Sequence, residues 1–381
     1  AKPCKQFGLK QPFKHLDDWR GAGEPMQFIK ALKVLLLVHE YGVDVESDII
    51  CFADAASSGT QHYSAMSRDF DQGELCGLVI SKEPANIYQK GAIEAAKVTE
   101  ADLVGDDAEK AEFAKMFKSI GAPSVATSKR NFMTAGYDSP VSGMADQIYE
   151  DIIKPEAVKL LHGEISQDKF PFPMHKRGQR KASRYLAEIN HAQINKILKC
   201  AMETLTFLKS VVAITARLHR PQYWQSQSGF VAVNQYFKMY ERDIKLTRLN
   251  VKTGVKRSRV GVSYAELNTN EIDMRESRRS IGANFIHSRD ADHTHHILYS
   301  CKHRGIEDVV HIHDCFGTHP SQMDNLDEIV RATFINLYFM KRVLNDFLSE
   351  TLDQWEAEFR KQNSDVPELE IEELRQDLHG R

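Results

Sequence analysis

The stretch Val309–Pro320, Val-Val-His-Ile-His-Asp-Cys-Phe-Gly-Thr-His-Pro, constrains the fold more than any other part of the chain. Val309, Val310 and Ile312 suit a strand, Cys315 to Gly317 suit a returning strand, and only His313 and Asp314 are left for the turn between them. So short a turn implies an antiparallel hairpin with a carboxylate at its tip. An aspartate in a turn ordinarily bonds its own backbone, so a chemical role needs company. That company stands far upstream. Residues 48 to 53 read as a buried strand, Ile-Ile-Cys-Phe-Ala, ending in Asp54 and followed by Ala-Ala-Ser-Ser-Gly-Thr-Gln-His. Two strand-end aspartates raise the hypothesis of a metal site.

The remaining pattern is mainly helical. From Pro25 an amphipathic run through Phe28, Leu32, Leu35, Leu36 and His39 reaches a stop at Gly42. After Asp54, a Ser57-Ser58-Gly59 turn precedes a helix over residues 61–70 carrying His62 and Met66. Residues 71–122 read as short helices joined by polar loops. Pro123 suits the first turn of the next helix, on which Lys129, Met133 and Tyr137 fall at i, i+4 and i+8. One face thereby offers an ammonium and a phenol, with Arg130 beside it and Gly136 leaving room for close approach. A solvated lysine and a half-buried tyrosine on a surface helix fit the same pattern. Residues 144–161 read as helix, 169–181 as loop, and 182–217 as one long helix or two. Residues 230–264 alternate enough for strands, with Gly254 at a turn. Residues 321–359 form one or two amphipathic helices, expected to pack behind the hairpin.

Charge is uneven. The formal net charge is −3, yet Lys176, Arg177, Arg180 and Lys181 crowd one stretch, and Arg242 to Arg259, with Lys256 and Arg257, form another. Such runs can neutralise phosphates, and they also suit a solvated surface. Residues 350–377 are acidic and offset them. The six cysteines show no CxxC pair and no regular spacing, which argues against a zinc ribbon or disulfide framework. Ala31 to Val38 is interrupted by Lys33 and is too short to span a bilayer, and no signal peptide is evident. The histidine tract His293, His295 and His296 lacks a zinc-ligand spacing.

Two carboxylates on adjacent strand ends can hold two magnesium ions about 3.5–4 Å apart, a clamp for the attacking and leaving oxygens of phosphoryl transfer. A lysine and an arginine on a helix face could hold a polyphosphate while the tyrosine lies against a base or sugar. These are parts of a nucleotidyltransferase. At these residues the chain resembles the single-subunit DNA-dependent RNA polymerases of phages and mitochondria, the T-seven-like group. The first metal-aspartate motif is matched by Asp54-Ala-Ala-Ser-Ser-Gly-Thr-Gln-His-Tyr-Ser-Ala-Met. The helix motif is matched by Lys129-Arg130-Asn-Phe-Met133-Thr-Ala-Gly-Tyr137, and the last motif by His313-Asp314-Cys-Phe-Gly-Thr. Asn284-Phe-Ile-His287-Ser matches the segment that in this family reads the ribose 2′-hydroxyl. All four stand in family order.

The resemblance implies a mostly helical α/β (α+β) right hand. Its palm is split over residues 1–70 and 288–381, with fingers over 71–287. It implies that Asp54 and Asp314 hold two magnesium ions, with the Ala55 carbonyl as a further ligand, and that His313 supports the catalytic turn. It places Lys129 on the triphosphate, assisted by Arg130, and Tyr137 as the selector of ribonucleotides. Met133, Asn284, His287 and Tyr88 join the nucleotide site. The implied reaction is transfer of ribonucleotides from NTPs to an RNA 3′ end on a DNA template, in the cytoplasm of an infected bacterium. Departures accompany this. Val125 stands where the family has an arginine, Asp138 follows Tyr137 where it has a glycine, and the chain ends without the family's aromatic foot. No counterpart of the N-terminal domain or thumb precedes Asp54. The expectation is therefore a heterodimer in which a second polypeptide supplies those parts, as in the split polymerases of N-four-like phages. A-family DNA polymerases share the palm motifs but carry a glutamate in the first, where this chain has Ser57-Ser58-Gly59-Thr60. A non-catalytic nucleic-acid-binding subunit of polymerase descent is the remaining alternative.

Overall fold

A computed structural model describes residues 19–80, 86–249 and 256–380, without the side chains of residues 243, 245–249, 256–262, 269 and 270. The chain is mostly helical with small antiparallel sheets. It divides into two compact units, each assembled from segments far apart in sequence: residues 1–55 with 294–335, and residues 56–293 with 336–381.

The first unit is built on the hairpin. Strand β6 (Val309–Ile312) returns through His313 and Asp314 into β7 (Cys315–Thr318). On the other edge of β7 lies β1 (Cys51–Asp54), giving the order β1-β7-β6. Burial falls unequally on these strands. The central strand takes it, with Phe316, Gly317 and Thr318 buried, whereas Phe52, Ala53 and Asp54 of the edge strand are exposed. The reading of β1 as a buried strand is corrected accordingly: a strand paired on one side only has less to cover it. Phe52 lies over Gly317, where an added Cβ would come within 2.7 Å of its ring. Beneath the hairpin, Phe316 packs with Leu326 and Ile329 of the helix Met323–Tyr338 and with Ile297, Cys301 and Ile306. The helix Pro25–Tyr41 ends at Gly42, whose φ of 95° only glycine adopts readily.

In the second unit the helix Lys176–Ile197 is central, packing against Ile87–Asp102, Val125–Ala135 and Val141–Ile148. It starts six residues before the sequence-based expectation, which left residues 169–181 as loop. The prolines Pro171 and Pro173 fall just before it, and the His175 imidazole caps it by accepting from the Gly178 N–H at 2.9 Å. A buried polar ladder fixes the rotation of Val125–Ala135 against its neighbours. Asn190 donates to Asn131 at 2.9 Å, Ser128 donates to Asn190 at 3.2 Å, and Asn131 donates to Gln147 at 2.8 Å. Each partner satisfies another, so the ladder specifies one register.

Two further elements differ from expectation. Residues 321–359 form two helices broken at Met340, whose φ is 57°. Only the first packs behind the hairpin. The second, Val343–Gln362, joins the other unit through Leu352 and Trp355, against Ile214 and Ile371. The strands expected over 230–264 are a short hairpin, β2 (Gln222–Gln225) with β3 (Val231–Asn234), and a long ribbon, β4 (Phe237–Leu249) with β5 (Lys256–Ile272). Gly254 lies outside the described residues. The ribbon leads into the helix Met274–His303.

Gly91 of Ile87–Asp102 is the point of closest approach to Val125–Ala135: an added Cβ would stand 2.2 Å from the ring of Phe132, itself 2% exposed. Gly91→Ala is expected to destabilise the fold by about 1–3 kcal/mol in denaturant unfolding, overriding the gain of up to about 1 kcal/mol from helix propensity.

Candidate active site

Two sets of candidate residues are held locally, one in each unit. In the first unit the cross-strand register pairs Asp54 with Cys315. Asp314 immediately precedes Cys315, so both carboxylates stand at the same end of neighbouring strands, as the sequence suggested. The turn is made by His313 at φ 56°, the left-handed region that histidine tolerates better than most residues. The His313 Nδ1 lies 3.6 Å from Asp314 Oδ1, and the two side chains are 50% and 30% exposed. Burial pushes the Cys315 thiol above its usual range, and the charges of Asp54 and Asp314 push it further the same way. Ala55 follows β1 directly.

The donors here are hard oxygens, which suit magnesium. Among the described residues no group of three or more His, Cys, Asp or Glu is arranged to hold a metal. An ion at this turn would be held by the two carboxylates and a carbonyl such as that of Ala55. Its remaining positions would be open to phosphate oxygens and water. The residues fit a catalytic ion with substrate ligands better than a closed structural site.

In the second unit Lys129 and its neighbours lie on Val125–Ala135, whose N-terminus carries a capping box of Ser124 and Thr127. The Lys129 ammonium stands 5.4 Å from the ring centre of Tyr88, at the start of Ile87–Asp102. Arg130 donates to both oxygens of Asp151, at 2.7 and 2.9 Å. Met133 is exposed. Tyr137 lies beyond the helix that carries Lys129 and Met133. The regular helix stops at Ala135, and the Tyr137 N–H turns back to Thr134 at 3.1 Å, the tighter i to i−3 link of a helix end. Its ring leans on His287, centroid to centroid 4.8 Å at 53°. Asn284, one turn before His287, donates to Asn234 at 2.8 Å and to the Tyr236 hydroxyl at 3.2 Å. A cavity of about 460 Å³ lies beside these residues, lined by Tyr137, Asp138, Tyr236, Glu276, Arg279 and Asn284.

The basic candidates are placed differently from one another. Lys176 and Arg177 are exposed at a helix start. Arg180 is paired with Asp146 and lies 4.2 Å over the Tyr149 ring, and Lys181 pairs with Glu109 at 2.7 Å. Such surface pairs contribute little to stability. Lys256 and Arg257 begin β5, and their side chains fall outside the described residues. Sequence reasoning missed Lys209, Asp151 and Tyr236, and it gave no role to Tyr63, which stands within the first motif. Tyr63 and Lys209 contact Gly136 and Asp138, the residues on either side of Tyr137, while Asp151 and Tyr236 contact Arg130 and Asn284.

The model of the DNA-dependent RNA polymerase family matches residues 7–379. This chain belongs to that family. Its relatives include DNA-directed RNA polymerase 3, chloroplastic, of Nicotiana sylvestris, 26% identical over 89% of this chain and 32% of that protein. T7 RNA polymerase of Escherichia phage T7 is 26% identical over 88% of this chain and 40% of its own length. The DNA-directed RNA polymerase of Enterobacteria phage T3 is 25% identical, over 90% and 42%. The chain thus spans about a third to two fifths of these relatives.

The His313 turn generates a direct check. His313→Gly should leave unfolding within about 1 kcal/mol of the parent, while His313→Val, which places a branched side chain at positive φ, should cost about 1–2 kcal/mol in the same measurement.

Proposed function

We propose that this chain carries the nucleotidyl-transfer chemistry of a DNA-dependent RNA polymerase, adding ribonucleotides from NTPs to an RNA 3′ end on a DNA template and releasing pyrophosphate. The observation that carries the reading is the register of β1 on β7, which pairs Asp54 with Cys315, the residue next to Asp314. Two magnesium ions, when bound, would activate the 3′ oxygen and neutralise the leaving pyrophosphate. Asp54 and Asp314 would hold them with the Ala55 carbonyl, and His313 keeps the turn that presents Asp314. Lys129 binds the triphosphate and neutralises or protonates the leaving group, with Arg130 beside it. Its place over Tyr88 supports a role for that tyrosine in the nucleotide site. Tyr137 and His287, in ring contact, are read as the pair that senses the ribose 2′-hydroxyl. Asn284 orients the same helix, and Met133 offers an apolar surface to a base.

The architecture we infer is a palm from residues 1–70 and 288–381 and fingers from 71–287. The long β4–β5 ribbon suits a nucleic-acid groove, with Lys256 and Arg257 on one of its strands and Lys176, Arg177, Arg180 and Lys181 as further phosphate contacts. A second polymerase polypeptide, in a heterodimer with this chain, is part of this reading. It is supported by apolar side chains left open in the first unit, including Met26 at 71%, Tyr41 at 72% and Ile312 at 67% exposure. The phage relatives support action in the cytoplasm of an infected bacterium, and no helix among the described residues is long and apolar enough to cross a membrane.

A DNA polymerase of the A family is the second reading. Against it stands Gly59, where an added Cβ would already lie 3.4 Å from the Tyr137 hydroxyl. The first motif thus puts a bare backbone beside Tyr137, where a glutamate would exclude the 2′-hydroxyl.

The test is extension of an RNA primer on a DNA template with magnesium, comparing ribo- with deoxynucleotides, by the chain alone and with its partner polypeptide. Asp314→Ala should lower extension by about three orders of magnitude or more with an unchanged melting curve. Tyr137→Phe should raise deoxynucleotide use by about tenfold relative to ribonucleotide. Undiminished extension by the Asp314 variant would remove the metal assignment.

A further inference from the structure

We propose that Tyr63 and Lys209 are positioning residues for Tyr137, clamping the backbone on either side of it and so setting its discrimination of the ribose. The inference rests on the reading of Tyr137 given above. It starts from how the helix Val125–Ala135 ends. Ser139 N–H bonds the Thr134 carbonyl at 3.2 Å and Asp138 N–H bonds the Ala135 carbonyl at 3.0 Å. These two bonds form a Schellman motif, in which Tyr137 is the cap and Asp138 the residue that must turn left-handed. Glycine ordinarily occupies that place, because a side chain there is disfavoured. Here an aspartate holds it at φ 64°.

What replaces the freedom of glycine is an ion pair. The Lys209 ammonium lies 2.6 Å from Asp138, with the two side chains 24% and 28% exposed. Lys209 is carried on the helix Lys199–Ala216, which is anchored in its unit by buried Leu205, Leu208, Val211 and Val212. The lysine therefore pulls the left-handed residue against a fixed support. On the other side of Tyr137 the peptide of Gly136 is held by Tyr63. Its hydroxyl donates to the Gly136 carbonyl at 2.8 Å, one of the helix-end carbonyls without a partner inside the helix. Tyr63 is completely buried, and its ring lies so near the backbone that a Cβ on Gly136 would stand 3.2 Å from it. Burial, and then the nearness of Tyr137 and Asp138, pushes its phenol far above the usual range, so it remains a donor at every working pH. The helix Met274–His303 passes the same point at Gly282, where a Cβ would fall 3.2 Å from the Gly136 carbonyl. One turn further on, that helix supplies His287 to the Tyr137 ring.

The two peptide planes flanking Tyr137 are thus both fixed, which leaves only its two side-chain torsions, and His287 limits those. Loosening either clamp should spread the ring over more positions and weaken its reading of a single hydroxyl.

The test measures the ratio of kcat/KM for a ribonucleotide over its deoxy counterpart in primer extension by the polymerase in its active assembly. Tyr63→Phe and Lys209→Met are each expected to lower that ratio by about three- to tenfold, with a smaller effect on ribonucleotide kcat. Adding Asp138→Gly to Lys209→Met should restore it, since glycine takes the left-handed turn unaided, and Lys209→Arg should retain it. A general loss of packing would show no such rescue. If Tyr137→Phe lowers the ratio while Tyr63→Phe and Lys209→Met leave it unchanged, or if Asp138→Gly fails to rescue, the inference falls and the reading of Tyr137 stands. A ratio unmoved by Tyr137→Phe, or no extension by the parent assembly, overturns that reading and the inference with it. Should Lys209→Met not fold, Asp138→Gly alone carries the test: its ratio should then become insensitive to Lys209→Arg and Lys209→Gln.

Discussion

Everything proposed for the aspartates depends on one pairing, that of β1 with β7. Side chains alternate along a strand, so a slip of one residue would send Asp54 to the opposite face and Phe52 off Gly317. Several contacts resist that slip. With β7 tied to β6 by the Thr318 hydroxyl donating to the Asp308 carbonyl at 2.7 Å, Phe52 covers Gly317 and His319 reaches the Ser47 carbonyl at 2.8 Å. The last contact ties the segment ahead of β1 to the one that follows β7, bracketing the pairing. The register is set by packing and hydrogen bonds around the carboxylates, which leaves the carboxylates themselves open for chemistry.

The second unit solves a related problem with different means. A lysine proposed to meet polyphosphate cannot be fixed by burying it. Here the opposite face of its helix is fixed instead. Phe132 fills the space opened by Gly91, and Asn131 and Ser128 enter a ladder of buried amides. Rotation of the helix is specified from behind, at residues directly adjacent in sequence to Lys129 and Arg130. The helix end is governed separately, by its capping motif. This division lets Lys129 and Tyr137 be oriented independently although eight positions separate them.

Much of this is legible in the amino-acid sequence. The hairpin, its two-residue turn, the upstream aspartate at a strand end and the helix ending at Gly42 follow from short-range rules of turn length, periodicity and glycine placement, and the fold carries each of them at those positions. The differences share a cause as well. Spacing puts Tyr137 on a helix face because it cannot show where a helix tightens into its cap. The start of Lys176–Ile197 is hard to see because its cap is a histidine, an unusual residue for that role. The second C-terminal helix reads as a support for the hairpin because an apolar stripe states that a helix is buried and not against which core. Tyr63 stands within the first motif, yet nothing local gives it a role, and Lys209 carries no local signal, since their partners lie some 70 residues away.

The composite build of the first unit bears on how the molecule is made. Strand β1 ends at Asp54 and its partner begins at Cys315, so translation at about 5–20 residues per second leaves a gap of roughly 13–50 seconds between them. Through that interval Cys51 to Asp54 form a segment with no strand to pair with, a state prone to pairing with other chains. The helices of the second unit, Ile87–Asp102 through Lys199–Ala216, can meanwhile assemble from consecutive sequence. Synthesis would therefore produce the helices that carry Tyr88 and Lys129 first and the β1–β7 pairing last, and a nascent chain would not bring Asp54 to Cys315 until the β6–β7 hairpin has emerged.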